Sequence, residues 1–313
     1  MNEDPENVEE EETENEDKEL VEKKTKFEIL YSEYSRPVSY FFIFSVLSCF
    51  ITITTLTITK DLISDENHKR FWSNQSVKYF SISIIQLTCG LFVKYKGFLV
   101  NYSRKIVHIS YFVIPQLLDT VILYFEKTVY TELWNIVIVY VLLLTLLEVI
   151  RSRVYIFRVM FSAIDRPEDR PYTTFWFVTQ LSVSLPIIMG FSILFSNLER
   201  NNFIFIPLWI LAFGDGLAEP IGTRFGKNKY TVKGLFVKDE YTRSLQGSFC
   251  VFFSSIVSIL AYYNDFTKAS ITFCLMTMPI LMTLAEAYSP HTWDNPIILL
   301  TGYILMTIAY YVE

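Results

Sequence analysis

The sequence is short of the residues that mark the common soluble enzymes and disulfide-bonded proteins. It has 10 glycines and 4 cysteines in 313 residues, and each cysteine lies inside an apolar stretch with no Cys-x-x-Cys pair. Neither a disulfide framework nor a zinc site is indicated. The HExxH and Walker A sequences and a Ser-His-Asp order are also absent, so metalloprotease, P-loop and serine-hydrolase chemistry is not expected. With 27 Lys and Arg against 33 Asp and Glu, no nucleic-acid partner is expected either.

Apolar residues are abundant instead, at 51% of the chain. They fall into nine segments of roughly 17–23 residues, close to the ~20 that a helix needs to cross a bilayer. The pattern predicts an all-α fold, a polytopic integral membrane bundle of about nine transmembrane helices. The predicted spans are 38–59, 77–93, 106–125, 133–150, 174–195, 203–222, 245–263, 270–288 and 295–312. We therefore expect one transmembrane domain at 27–313 after an N-terminal tail at 1–26.

The N-terminal tail is a block of negative charge. Residues 1–24 hold twelve acids and three lysines, with almost no apolar side chains. Such a segment buries too little apolar surface to fold, so we predict that it is disordered. It is interpreted as a solvated tail, with a partner-binding arm as the alternative. Its acidity is atypical of a transit peptide.

Lys and Arg are unevenly divided between the two ends of the predicted helices. The tail and the even-numbered connections hold 20 of them, and the odd-numbered connections hold seven. The positive-inside rule then places the N-terminus in the cytosol and the C-terminus on the other side. Four polar segments fall together on the cytosolic face, at 104–108, 166–172, 213–248 and 286–295. A cytosolic active site is expected, in the endoplasmic reticulum membrane of a eukaryote or the inner membrane of a bacterium.

The segment 213–248 is the richest in glycine and polar residues. It holds six of the ten glycines, and Asp215 and Glu219 follow an apolar run. These two carboxylates are four residues apart, so on a helix they share one face, where they suit Mg²⁺. Two nearby glycines and Pro220 predict that the helix is broken or ends here and lines a polar cavity. The alternative is a capped helix end whose acids point to solvent.

Basic and hydroxyl side chains in the same segment are candidates for binding phosphate. The candidate bases are Lys227, Lys229, Lys233 and Arg243. Each neutralises phosphate charge, although bases on a cytosolic connection also serve topology alone. Ser244, Gly247 and Ser248 begin the seventh span, where free backbone N–H groups and the helix dipole favour an anion.

Two other cytosolic segments add titratable groups. Arg104, Lys105 and His108 open the third span. His108 suits a general base or a hydrogen-bond donor to phosphate, with a histidine held between helices as the alternative. Glu286 lies near the end of the eighth span, where an unpaired acid is costly. Asp294 precedes the ninth span and suits either a helix cap or a metal ligand.

These motifs occur in an order that resembles a known family. The motifs are GDGLAEPIGTRFGK at 214–227, RSLQGS at 243–248, RKIVH at 104–108 and EAYSPHTWDN at 286–295. Together they resemble the CTP-dependent lipid-alcohol kinases, which include dolichol kinase, phytol and farnesol kinases and the yeast-type diacylglycerol kinase. The central motif is shared with phosphatidate cytidylyltransferases. The resemblance covers about residues 100–312 of the chain.

The resemblance implies transfer of the CTP γ-phosphate to the hydroxyl of a long-chain lipid alcohol, with Mg²⁺ as cofactor. CTP, the lipid alcohol and the bilayer are the implied partners. The expected catalytic residues are Asp215, His108, Lys227 and Arg243. The expected nucleotide-binding residues are Gly214, Gly216, Gly222, Gly226, Lys233, Ser244, Gly247, Ser248, Arg104 and Lys105. The expected metal ligands are Asp215, Glu219, Glu286 and Asp294.

Two positions depart from the family pattern, and two other functions stay open. Arg243 stands where these families usually have Lys, and Gln246 stands where dolichol-type kinases usually have Glu. The alternatives are a phosphatidate cytidylyltransferase that makes CDP-diacylglycerol, and a transporter, for which no convincing internal repeat is found. Under the kinase hypothesis Asp215→Asn is expected to fold normally, because removal of an acid lowers an insertion cost.

Overall fold

The computed structural model shows a mostly helical chain. Within the described residues, five helices are long and apolar enough to cross a membrane. These features confirm the expectation of a helical chain and are compatible with an integral membrane protein. The acidic tail, and with it the predicted disorder, lies outside the described residues. The structure describes residues 35–58, 65–122, 124–125, 128–235, 240–290 and 293–312.

The first part of the chain consists mainly of helices. They are α1 Ser35–Ile58, α2 Asp65–Lys96, α3 Val100–Leu117, α4 Val129–Leu144, α5 Glu148–Arg151, α6 Tyr155–Ser162 and α7 Thr173–Asn197. A π-helical turn at Leu118–Ile122 prolongs α3. The start of α4 is fixed by a capping box, in which Thr128 and Thr131 each bond the other's backbone N–H through the side-chain oxygen.

The predicted span 133–150 is too long at its C-terminal end, because α4 stops at Leu144. The backbone then tightens, and the Leu147 amide donates to the Leu144 carbonyl at 3.1 Å. Arg151 stabilises this bend by donating from Nη1 to the Leu146 carbonyl at 3.1 Å and to Thr174 Oγ1 at 3.0 Å. The Arg151 side chain thus donates to a backbone oxygen and a side-chain oxygen near the point where the regular helix ends.

The helix that carries Asp215 is continuous, so the break predicted near Pro220 is wrong. α8 Phe205–Trp209 runs through a π-helical turn at Ile210–Asp215 into α9 Gly216–Phe225. A break inside a bilayer would leave backbone groups unpaired, and a local π turn re-satisfies them while the helix goes on. Asp215 is consequently 4% exposed within the helix rather than at a solvated end.

The segment after α9 contains a small hairpin, which the all-α prediction missed. β1 Lys229–Lys233 pairs antiparallel with β2 Glu240–Ser244. Exposed and half-buried side chains alternate along both strands, as expected for a strand with one face on the protein. The Leu235 amide donates to the Tyr288 carbonyl at 2.8 Å, so the hairpin contacts the C-terminal end of the helix Lys268–Tyr288.

Three C-terminal helices pack around the continuous helix Asn201–Phe225 and position its carboxylates. They are α10 Leu245–Ala261, α11 Lys268–Tyr288 and α12 Asp294–Tyr311. Their shared core includes Ile206, Met278 and Tyr303, which are fully buried. Ser244 begins α10 as its N-cap by accepting from the Gly247 amide at 3.1 Å.

The two ends of α10 provide a test of the predicted orientation. Asn228 precedes this helix and Asn264 follows it, and both are exposed. In a background without the four native cysteines, Asn228→Cys is expected to react with an impermeant thiol reagent only from the cytosolic side. Asn264→Cys is expected to react only from the opposite side. Labelling of both cysteines from one side would contradict the membrane crossing of α10.

Candidate functional site

Consecutive turns of α3 present basic side chains to the helix that carries the paired carboxylates. Lys105 Nζ lies 2.9 and 2.8 Å from the two carboxylate oxygens of Asp215. His108 Nε2 lies 3.3 Å from Asp215 Oδ2 and 3.2 Å from the Leu211 carbonyl oxygen. Arg104 forms an ion pair with Glu219. Both Lys105 and Asp215 are 4% exposed, so this charge pair is buried.

The 166–172 segment contributes a further cation that sequence reasoning did not place in the site. Arg166 Nη1 lies 3.4 Å from Glu219 Oε1. Its Nε and Nη2 also donate to the two oxygens of Asp169, at 2.8 and 3.2 Å. A bidentate pair of this kind fixes the guanidinium plane. The only sequence signal was the location of this segment among the cytosolic ones.

The remaining predicted acids lie on the other side of the same site. Glu286 is 5% exposed, and its Oε1 lies 3.4 Å from Arg243 Nη1. Asp294 Oδ1 accepts from Gln180 Nε2 at 3.0 Å and from its neighbour's backbone N–H, that of Asn295, at 3.1 Å. The four cytosolic segments predicted from the Lys and Arg count therefore meet through direct side-chain contacts.

Two cavities of different character meet at this cluster. One is polar and has a volume of about 510 Å³, and the other is mainly apolar and has a volume of about 270 Å³. Both are lined by the same four charged residues, Arg104, Lys105, Asp215 and Asp294. A solute in the polar cavity and a chain in the apolar cavity would touch opposite sides of one charged wall.

The apolar cavity runs between α3, α4 and α7. Phe112 of α3, Leu142 of α4 and Phe177 of α7 are among the side chains that line it, and His108 lines its charged end. Most of its other lining residues are hydrocarbon or aromatic, as expected for a site that takes an apolar chain.

The polar cavity is lined by fewer of the predicted bases than expected. Lys229 and Arg243 line it, together with Arg104, Lys105 and Arg166. Lys227 and Lys233 are exposed and are not among its lining residues in the part of the chain that the structure describes. The expected phosphate roles of Lys227 and Lys233 therefore stay predictions.

The glycines of the central motif lie at close contacts between helices. A Cβ on Gly216 would lie 2.7 Å from Ile109 of α3, and a Cβ on Gly214 would lie 3.1 Å from the Val251 Cα of α10. A Cβ on Gly222 or Gly226 would lie 2.7 or 2.8 Å from Ser244. These residues let the three helices approach closely, and Gly222 also lines the polar cavity.

The hydroxyls at the start of α10 already have partners. Ser244 Oγ caps the helix, and Ser248 Oγ lies 2.6 Å from the Tyr230 hydroxyl of the hairpin. Both serines and Gly247 line the polar cavity. Their contacts hold the hairpin against α10, which positions Arg243 beside Glu286.

Substitution of Gly247 tests whether close helix packing sets the geometry of the site. A Cβ there would lie 2.8 Å from the Ala218 backbone carbonyl oxygen, so Gly247→Ala must push α9 and α10 apart. We expect the free energy of unfolding to fall by on the order of 1–3 kcal/mol, which lowers the melting temperature. Gly190→Ala is the matched control, because nothing lies within 4 Å of a Cβ at that position. Equal melting temperatures for the two variants would contradict this packing role.

The predicted metal ligands differ in how well they fit Mg²⁺. Among the described residues, no group of three or more His, Cys, Asp or Glu side chains is placed to hold a metal ion. Mg²⁺ is commonly held by only one or two carboxylates plus substrate phosphates, so a smaller set suffices. All four acids line the polar cavity. Asp215 pairs with Lys105 at 2.8 Å and Glu219 pairs with Arg104. Glu286 has a longer contact with Arg243, at 3.4 Å, and Asp294 accepts from the Gln180 amide.

Comparison of the chain with protein-family models, with curated proteins and with solved structures found no match. The interpretation of the site therefore rests on its own contacts and on the motif resemblance. The geometry that matters most is the charged wall between the polar and the apolar cavity.

Proposed function

We propose that this chain is a membrane phosphotransferase that moves the γ-phosphate of CTP to the hydroxyl of a lipid alcohol. The observation that carries the proposal is the pair of cavities that share Arg104, Lys105, Asp215 and Asp294. A triphosphate needs a polar, cationic cavity, and a lipid chain needs an apolar one. The two substrates react only where the cavities meet.

The polar cavity supplies what phosphoryl transfer requires of a protein. Such transfer depends mainly on positioning and on neutralising charge, with little covalent chemistry by the enzyme. Lys229, Arg243 and Arg104 line the cavity and would contact the triphosphate. The ion pair with Asp215 holds the Lys105 ammonium group in a fixed position at the charged wall. The buried surroundings strengthen these interactions relative to water.

Asp294 is the residue that we assign as the proton acceptor. It lines both cavities, and Gln180 and the Asn295 backbone N–H hold one of its oxygens in place. In the transfer, the lipid oxygen forms a bond to the γ-phosphorus and the bond from that phosphorus to the β–γ bridging oxygen breaks. The hydroxyl proton passes to the Asp294 carboxylate, and CDP leaves.

Mg²⁺ fits this arrangement through Glu286 rather than through Asp215. Glu286 lines the polar cavity, and its contact with Arg243 is longer than that of Asp215 with Lys105. When bound, Mg²⁺ supplies charge neutralisation and orientation of the phosphate oxygens. Glu286 would hold the ion together with oxygens of the triphosphate.

The proposal includes a nine-span arrangement with the site at the cytosolic surface. The ends of α3, α11 and α12 meet α9 and the hairpin at one end of the bundle. The residues that they bring together there are Arg104, Glu219, Arg243, Glu286 and Asp294. Cytosolic CTP then enters the polar cavity directly, and the lipid enters the apolar cavity from the bilayer. The membrane would be that of the endoplasmic reticulum in a eukaryote or the inner membrane in a bacterium.

Two labelled nucleotides test the proposed reaction. Purified protein is incubated with a lipid panel and either [γ-³²P]CTP or [α-³²P]CTP. We expect the γ-label, and not the α-label, to enter lipid. Transfer of the α-label to phosphatidate would instead indicate a cytidylyltransferase. Absence of both labels from every lipid, with folded protein present, would overturn the proposal.

A further inference from the structure

Two polar side chains in the apolar cavity have no hydrogen-bond partner among the described residues. Gln116 of α3 and Ser184 of α7 both line this cavity, and they are 7% and 4% exposed. Neither the amide of Gln116 nor the hydroxyl of Ser184 has a hydrogen-bond partner within the described part of the chain. Neither residue belongs to the charged wall or to any motif found in the sequence.

Unpaired polar groups of this kind are uncommon in folded proteins. A buried amide or hydroxyl without a partner costs free energy, and the cost is larger inside a membrane domain, where water is scarce. Leucine or alanine at these positions would line the same cavity without the free-energy cost of an unpaired polar group. Because both side chains line a cavity, a ligand bound there could supply the hydrogen bonds that their polar atoms lack among the described residues.

Their positions along the helices set how far this ligand group lies from the reactive hydroxyl. Gln180 contacts Asp294 at the charged wall. Ser184 lies one helical turn after Gln180, which is about 6 Å along the helix axis. Gln116 follows His108 by eight residues, or about 12 Å. Both helices run away from the wall, and helical side chains lean back toward the helix N-terminus. The polar atoms thus lie between one and two turns into the cavity.

We propose that the lipid alcohol carries an ester or amide carbonyl close to its hydroxyl, as in an acylglycerol. This inference rests on the proposed function. Gln116 and Ser184 would donate to carbonyl oxygens, while the hydroxyl lies at Asp294. A polyprenol or a phytol-like alcohol has only its terminal hydroxyl, which would be used at the wall. Such a lipid would leave the polar atoms of Gln116 and Ser184 unpaired.

Matched lipids isolate the carbonyl groups. Dioleoylglycerol has two ester carbonyls, and the corresponding dialkylglycerol has the same chains and hydroxyl but ether links. We expect kcat/KM to be about tenfold higher for the ester lipid, the effect of one to two hydrogen bonds. A ceramide reports on an amide carbonyl, and a polyprenol reports on a hydrocarbon chain. Equal kcat/KM for the ester and ether lipids would overturn the inference.

Variants show whether the preference depends on these two side chains. Gln116→Leu and Ser184→Ala are each expected to lower kcat/KM for the ester lipid, which brings the ester-to-ether ratio close to one. Asn135→Leu is the matched control. The side-chain oxygen of Asn135 is also buried and has no hydrogen-bond partner among the described residues, but Asn135 does not line the cavity. An unchanged ratio in both Gln116→Leu and Ser184→Ala would remove these residues from lipid recognition.

Lipid binding without CTP separates this inference from the proposed reaction. The melting temperature of the full chain in detergent is measured with each lipid alone. We expect dioleoylglycerol to raise it more than the dialkylglycerol does, and Gln116→Leu to remove the difference. This result with no label transfer would reject the kinase but keep the carbonyl site. Label transfer with no difference between the two lipids, in rate or in melting, would reject the carbonyl site alone.

Discussion

Asp215→Asn is expected to lower both the stability of the folded protein and the rate of lipid phosphorylation. Lys105 Nζ lies within 2.9 Å of both Asp215 oxygens, and both residues are 4% exposed. Loss of the Asp215 charge leaves the buried Lys105 ammonium with the longer ion pair to Glu219 Oε2, at 3.7 Å, and the weakened pairing costs up to about 3–5 kcal/mol. The rate of phosphoryl transfer should fall by about 10²-fold or more, because the charged side chains between the two cavities are no longer held in fixed positions. The measurements are the melting temperature in detergent and transfer of the γ-label.

A double variant separates folding from chemistry. Lys105→Met combined with Asp215→Leu replaces the buried pair by apolar side chains, a change that is often neutral or stabilising. We expect the melting temperature to recover while phosphoryl transfer stays low. If Asp215→Asn alone melts like the wild type and keeps activity within about threefold, the pair is neither structural nor part of the site.

Asp294→Asn is expected to lower the rate of transfer strongly while leaving the fold intact. The amide oxygen of Asn still accepts from Gln180 and from the Asn295 backbone, so the local hydrogen bonds persist. The proton acceptor is lost, which lowers the rate by about 10²–10⁴-fold. Asp265→Asn is a matched control. Asp265 lies in the turn between α10 and α11, outside both cavities, and its carboxylate accepts from the Asn202 side chain. Equal activities of the two variants would exclude Asp294 as the base.

Much of the fold follows from hydropathy, because long apolar runs select helices. The departures arise where a side chain or a turn intervenes. α4 ends early where Arg151 bonds the Leu146 carbonyl, a contact that no apolar window records. Lys78 is one of the seven bases assigned to the odd-numbered connections, yet it is 2% exposed in α2, with its Nζ 2.7 Å from an Asp119 carboxylate oxygen. The hairpin was missed because the Lys and Gly residues around it were interpreted as phosphate ligands or as bases that set topology, and not as strand and turn residues.

The candidate site shows a similar division. The sequence predicts its acids and bases because charged groups at helix ends in a membrane are costly unless they are paired or functional. It does not predict their partners, since Lys105 and Asp215 are 110 residues apart in the chain. The expectation that Asp215→Asn folds normally treated Asp215 as a lone acid, and the ion pair with Lys105 reverses that expectation. The packing role of the motif glycines likewise depends on contacts between distant helices.

The most direct test of the account is a structure of the full chain in lipid nanodiscs with both substrates bound. The nucleotide would be a CTP analogue with a methylene between the β- and γ-phosphorus atoms, and the lipid would be dioleoylglycerol. We expect the triphosphate in the polar cavity beside Lys229 and Arg243, and an acyl chain in the apolar cavity with its hydroxyl at Asp294. Nucleotide bound outside the polar cavity, or lipid bound away from the charged wall, would contradict the account.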